Sequence, residues 1–188
     1  MSEEMDIRDQ DVDSYLVEIF EREIMHQWDI AARSISMMNL VLRRESQDVG
    51  LFWFGLDAAL GALGNISKIF FPLGKLDTNS GRRRAYMRQL YGITDHSLLR
   101  SRDARNGFEH FDERLDRWFR NSTRKNFADR NISEPDDISG LESIDFARHF
   151  DPKSNTVTVF GVALDFQALV LEVKSIIDQV QSRQACEY

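Results

Sequence analysis

Leu51-Phe52-Trp53-Phe54-Gly55-Leu56-Asp57-Ala58-Ala59-Leu60-Gly61-Ala62-Leu63 lies in a run, residues 48–71, whose apolar side chains cover almost every face of an α-helix. Ile66, Ile69 and Phe70 continue it. A helix that is apolar all round belongs at the centre of a helical protein or inside a membrane. Asp57, Asn65 and Lys68 interrupt this one, and an aspartate near a bilayer centre is costly, so a central bundle helix and no membrane are expected. Gly55, Ala58, Ala59 and Ala62 form a ridge of small residues that lets a neighbouring helix come close. Pro72 ends the run, because the residue before a proline is pushed out of the helical region.

Upstream, residues 12–44 carry Val12, Leu16, Ile19, Ile24, Ala31, Ile35, Met38 and Leu42, mostly three or four apart, which predicts a long amphipathic helix. His26 lies beside this stripe and reads as structural. Downstream, residues 73–80 read as a loop and 81–91 as a short helix stopped at Gly92. Thr94 or Asp95 then caps a longer helix, about 95–121. Residues 122–143 lack periodicity and read as a loop. After them the period shortens to two at Ile144, Phe146 and Phe150 and again over Thr156–Phe160, around the turn residues Asp151-Pro152-Lys153-Ser154-Asn155. Asp165 caps a last amphipathic helix bearing Leu169, Val173, Ile176, Ile177 and Val180. The expected fold is mainly α: an up-and-down bundle of four to five helices, a small C-terminal β-hairpin, then a last helix. One domain is expected over 1–188, with bundle core at about 12–121, loop 122–143, hairpin at about 144–164 and terminal helix at about 165–183.

The lone cysteine, Cys186, excludes an internal disulfide, and Met1-Ser2-Glu3-Glu4-Met5-Asp6 has no apolar leader, so a cytoplasmic location is expected. A net charge of −7 argues against a long nucleic-acid groove and leaves room for a small local site. The basic residues are uneven: Arg82, Arg83 and Arg84 are consecutive, and Arg100, Arg102, Arg105, Arg114, Arg117, Arg120, Arg124 and Lys125 crowd one region. Acidic residues are mixed among them, so an ordinary solvated face accounts for them as well.

Within residues 104–119 a helical phase gathers Ala104, Phe108, Phe111, Leu115, Trp118 and Phe119 into a core stripe. Asn106, His110, Glu113 and Arg117 fall opposite, with Arg105, Glu109, Asp112 and Asp116 on one flank. His110 is therefore directed to solvent, a ligand or another chain. Arg105 and His110 are about 140° apart around such a helix and roughly 7.5 Å apart along it, so they are not an ideal pair within one chain. Arg105 with Glu109 and Glu113 with Arg117 also read as plain i,i+4 ion pairs on a solvated face. The chemistry nevertheless coheres: histidine moves protons near neutral pH, arginine grips phosphate through paired hydrogen bonds, and asparagine orients either group. Those types suffice for metal-free attack by a ribose 2′-hydroxyl on its own phosphodiester.

The pattern Arg105-Asn106-x-x-x-His110, late in a helical chain, resembles the HEPN superfamily. The resemblance implies a metal-independent endoribonuclease, often dimeric, with the motifs of both chains lining a shared cleft. It assigns phosphate holding to Arg105, support to Asn106 and proton transfer to His110, one copy as acid and one as base. Leu99 would share the seam if the helix is continuous. RNA, a second copy of the chain and a protein partner or antitoxin are the expected partners; no cofactor is expected. A second reading stays open, a non-catalytic helical interaction or nucleotide-binding module. His26, His96, His110, His149 and Cys186 show no metal-ligand spacing, so no metal is expected. No Gly-rich phosphate loop and no nucleophile elbow occurs, and Asp151 and Asp165 read as turn and cap residues.

Overall fold

A Cβ built on Gly55 would lie 2.7 Å from the carbonyl oxygen of Ser34 and 3.1 Å from Met38 Cγ. The small-residue ridge thus seats helix α1 (Ser14–Leu42) against helix α2 (Val49–Phe70). The two run antiparallel, and Asn65 donates to Gln27 Oε1 at 3.2 Å farther along the same seam. Asp48 caps α2 by accepting from Leu51 N at 3.1 Å, and Phe71 is extended just before Pro72. The computed structural model describes residues 14–71, 78–101 and 111–186.

Among the described residues α2 is the one helix long and apolar enough to cross a membrane. It is packed as a core helix: Phe52, Leu56, Ala59 and Ile66 have no exposed surface. Burying a large side chain of this kind contributes on the order of 2 kcal/mol, so α2 is a major source of the hydrophobic stabilisation. Helix α3 (Thr78–Leu90) follows, and Gly92 then takes φ +62°, a left-handed stop that glycine adopts without strain.

The continuous helix expected at about 95–121 is not formed. Leu98–Arg100 is a single 3-10 turn capped by Ser97, and Ser101 is extended at φ −62°, ψ 117°. The cause is Leu99, which is 2% exposed and belongs to the core. Ser67 Oγ donates to its carbonyl at 2.5 Å, and Leu98 N donates to Glu172 at 2.9 Å. The described helix here is α4 (Phe111–Asn121).

The bundle with a small hairpin is corrected by the sheet. Strands β1 (Ala128–Ile132), β2 (Phe146–Asp151), β3 (Thr156–Val159) and β4 (Val162–Asp165) form one mixed sheet in the order β1-β2-β3-β4. The expected hairpin is its β2–β3 unit, turned at Asn155 with φ +53°. It gains β4 through a second tight turn, Phe160-Gly161, with φ +46° and +82°. It gains β1, inside the expected loop 122–143, by parallel pairing with β2. β1 bulges at Arg130 (φ +58°), whose carbonyl accepts from Trp53 Nε1 at 3.0 Å. Together the described residues hold five α-helices and this four-stranded sheet.

Helix α5 (Phe166–Cys186) closes the fold, capped by Asp165, which accepts from Ala168 N at 2.8 Å. Phe150, Val157, Val159 and Leu164 of the sheet join the same apolar cluster as α2 and α5. Phe52 and Phe150, with ring centroids 4.9 Å apart, mark where helix meets sheet.

Candidate functional site

Arg105, Asn106 and His110, the residues singled out by the sequence, lie outside the described residues. The described chain on either side of them is anchored. On the N-terminal side, Ser97 Oγ and Leu98 N both donate to Glu172 of α5, and Leu99 is buried against α2. Leu99 therefore belongs to the core and is not free for an intersubunit seam. On the C-terminal side, the ring of Phe111 lies 5.3 Å from that of Phe160 and 4.8 Å from the guanidinium of Arg148.

Arg148 is the centre of a charged cluster that sequence reasoning missed. It stands on β2, and the parallel ladder sets it across from Asp129 of β1. Its Nε and Nη2 donate to the two Asp129 oxygens at 2.7 and 2.5 Å, the fork geometry that only arginine supplies. That hydrogen bonding raises the Arg148 pKa further. Asp57 of α2 faces the same cluster. Loss of water raises its carboxyl above the usual carboxylate range, although Arg148 and Arg130 pull the other way. Asp129 and Arg148 are 19 positions apart and only strand pairing joins them, so no local motif announces them.

Next to Arg148, His149 points into the protein at 1% exposure, packed 4.5 Å from the Phe146 ring centroid. Burial lowers its pKa, so it sits neutral, with Ser133 Oγ 3.5 Å from Nε2. This is a core histidine. Asp145, 1% exposed, fixes the end of α4: its Oδ1 accepts from Ser122 Oγ at 2.8 Å and from Trp118 Nε1 at 3.2 Å. Burial alone would raise this carboxyl, but hydrogen bonds from Glu142 N, Ser122 and Trp118 together hold it below the usual range.

A second buried group lies at the other end of α5. Glu21 of α1 has no exposed surface, accepts from Tyr91 Oη, and pairs with Arg183 Nε at 3.1 Å. Burial first, then the hydrogen bond to Glu21, pushes the Tyr91 hydroxyl well above its ordinary pKa, so it stays a donor. It ties together α1, the end of α3 and α5. The run Arg82–Arg84 is not one basic patch. Arg83 is 7% exposed, with its guanidinium 3.7 Å from the Phe20 ring centroid, and burial lowers its pKa to about 10.

Phase along α4 holds in part. Trp118 is buried, and Asp112, Glu113, Asp116 and Arg117 are exposed as expected. Phe119 departs from the expected core stripe and is 63% exposed. No group of three or more metal-ligating side chains occurs among the described residues. Comparison with known proteins finds no matching family model, no matching curated protein and no matching solved structure.

Proposed function

We propose that this chain is a metal-independent endoribonuclease that acts in the cytoplasm as a homodimer. Arg105 holds the scissile phosphate, Asn106 supports it and His110 moves the proton. His110 takes the proton from the 2′-hydroxyl, whose oxygen forms a bond to phosphorus. The bond from phosphorus to the 5′-oxygen breaks, and the partner subunit's His110 protonates that oxygen. The products are a 2′,3′-cyclic phosphate and a free 5′-hydroxyl. The resemblance carried by Arg105-Asn106-x-x-x-His110 motivates the reading.

The observation that supports it is the anchoring of the chain on both sides of these residues. Glu172 and Ser67 hold the N-terminal side, and Phe160 and Arg148 hold the C-terminal side at Phe111. The second reading is a binding module of the same fold without turnover. The rate of RNA cleavage in excess chelator separates the two. Wild type should cleave, and His110→Ala should lose about 10²-fold or more, the usual worth of a positioned acid or base. RNA binding without cleavage by either protein leaves the binding module instead.

A further inference from the structure

Five aromatic rings follow one another from the end of α4 to its beginning. Phe119 lies 6.3 Å from Trp118, Trp118 lies 5.0 Å from Phe127, Phe127 lies 6.4 Å from Phe160, and Phe160 meets Phe111. Trp118 is the buried floor of this strip, whereas Phe119 is 63% and Phe127 46% exposed. Single exposed apolar residues are ordinary, but a contiguous row of rings is a recognition feature. The strip ends at Phe111, the residue that follows His110 in the chain.

The charges beside it favour a polyanion. The Lys125 ammonium lies 4.6 Å from the Phe119 ring centroid and donates to the Phe119 carbonyl. Arg120, Arg124 and Lys125 are exposed and make no ion pair among the described residues, although Asp116 stands one helical turn before Arg120 and the charge of Arg124 helps hold the buried Asp145 ionised. Some exposed cations elsewhere on this acidic chain are paired, Arg22 with Glu18, Arg33 with Asp29, Lys153 with Glu134 and Lys174 with Asp178, whereas Arg43 and Arg44 make no ion pair among the described residues. Backbone strain gathers here too. Lys125 (φ +55°) and Phe160 (φ +46°) hold left-handed conformations that bulky residues rarely adopt. Phe160 occupies a two-residue hairpin turn that asparagine would fill more easily, so the ring is kept at the turn's expense.

We propose that Phe119, Phe127 and Phe160 form a stacking platform for the bases of single-stranded RNA, with Lys125 and Arg124 toward its phosphates. This rests on RNA being the ligand of the chain and names the form of RNA it takes. Stacking on aromatic rings is sequence-tolerant and contributes about 1–3 kcal/mol per base, and a duplex, whose bases already stack on each other, gains none of it.

The test is fluorescence anisotropy of the full chain with a labelled 2′-O-methyl oligouridylate, which lacks the attacking hydroxyl. Phe119→Ala should weaken binding about tenfold while leaving the melting temperature unchanged, since Phe119 is mostly exposed. Phe119→Trp should restore it. Lys125→Glu should weaken binding and flatten its salt dependence. A blunt duplex of equal length should bind more weakly than the single strand. Equal binding by wild type and Phe119→Ala, no binding by wild type, or a Phe119→Ala effect on self-association alone would each overturn the platform. Failure of the platform is distinguishable from failure of the nuclease. Cleavage lost in His110→Ala but unchanged in Phe119→Ala removes only the platform, whereas weakened binding by Phe119→Ala with no cleavage by wild type removes only the nuclease.

Discussion

The guanidinium of Arg148 is closed on Asp129 by two hydrogen bonds, at 2.7 and 2.5 Å. It also lies 4.8 Å from the Phe111 ring centroid. One side chain thus ties two parallel strands to the start of α4. Removing it leaves Asp129 partly buried beside Asp57 with no fork to neutralise it. Arg148→Ala should therefore lose about 2–4 kcal/mol of unfolding free energy, read from urea melts. Arg148→Lys should recover only part of the loss, because a lysine cannot make the paired contact.

Asp57 gives a pH signature of opposite sign to a stabilising carboxylate. Its folded pKa is raised above the unfolded value of 3.8, so the folded state holds the proton more tightly and ionisation costs stability. Asp57 is itself exposed, so solvent screens much of this effect, and Asp57→Asn should raise the melting temperature at pH 7 only slightly. The gain should shrink as pH falls through the raised pKa toward 3.8 and vanish below it. A variant less stable at pH 7 than wild type would show that the attraction to Arg148 outweighs the loss of water.

His149 predicts an acid limb. Burial lowers its folded pKa below the unfolded 6.5, so the unfolded chain binds the proton more readily. The stability held above pH 6.5 should fall as pH drops below that value, levelling off once pH passes the lowered pKa. In His149→Gln this part of the pH slope should disappear, as denaturant midpoints measured between neutral and mildly acid pH will show.

Two glycines of α2, Gly55 and Gly61, should respond in opposite directions. Gly55→Ala drives a methyl to 2.7 Å from the Ser34 carbonyl, a backbone atom that cannot step aside, and should cost about 1–3 kcal/mol. At Gly61 nothing lies within 4 Å of a built Cβ, so Gly61→Ala should stabilise by about 0.5–1 kcal/mol. Urea midpoints for the pair test whether the helix seam sits where Gly55 puts it.

The long helices were legible because α1, α2 and α5 repeat apolar residues over many turns, and their ends carry Asp48, Pro72 and Asp165. The β2–β3 hairpin was legible from its alternation and its Asn155 turn. β1 was not: Ala128-Asp129-Arg130-Asn131-Ile132 has a single large apolar residue, and tertiary partners hold it, the β2 ladder and Trp53. β4 was hidden because its turn uses Phe160 where Asn is the usual signal. The helix over 95–121 failed because local periodicity cannot show that Ser67 and Glu172 pull Leu98 and Leu99 into the core. For the site, residue types in one stretch were readable, but the Arg148–Asp129 pair and the aromatic strip arise only when strands and α4 come together.

The central claim is metal-free cleavage by 2′-hydroxyl attack through His110, and the chemical ends of the products test it most directly. RNA digested by wild type in excess chelator and weighed by mass spectrometry should carry 2′,3′-cyclic phosphates and 5′-hydroxyls, and the same RNA should stay intact with His110→Ala. Equal cleavage by both proteins, products ending in 3′-hydroxyl and 5′-phosphate, or intact RNA after wild-type treatment would contradict the claim.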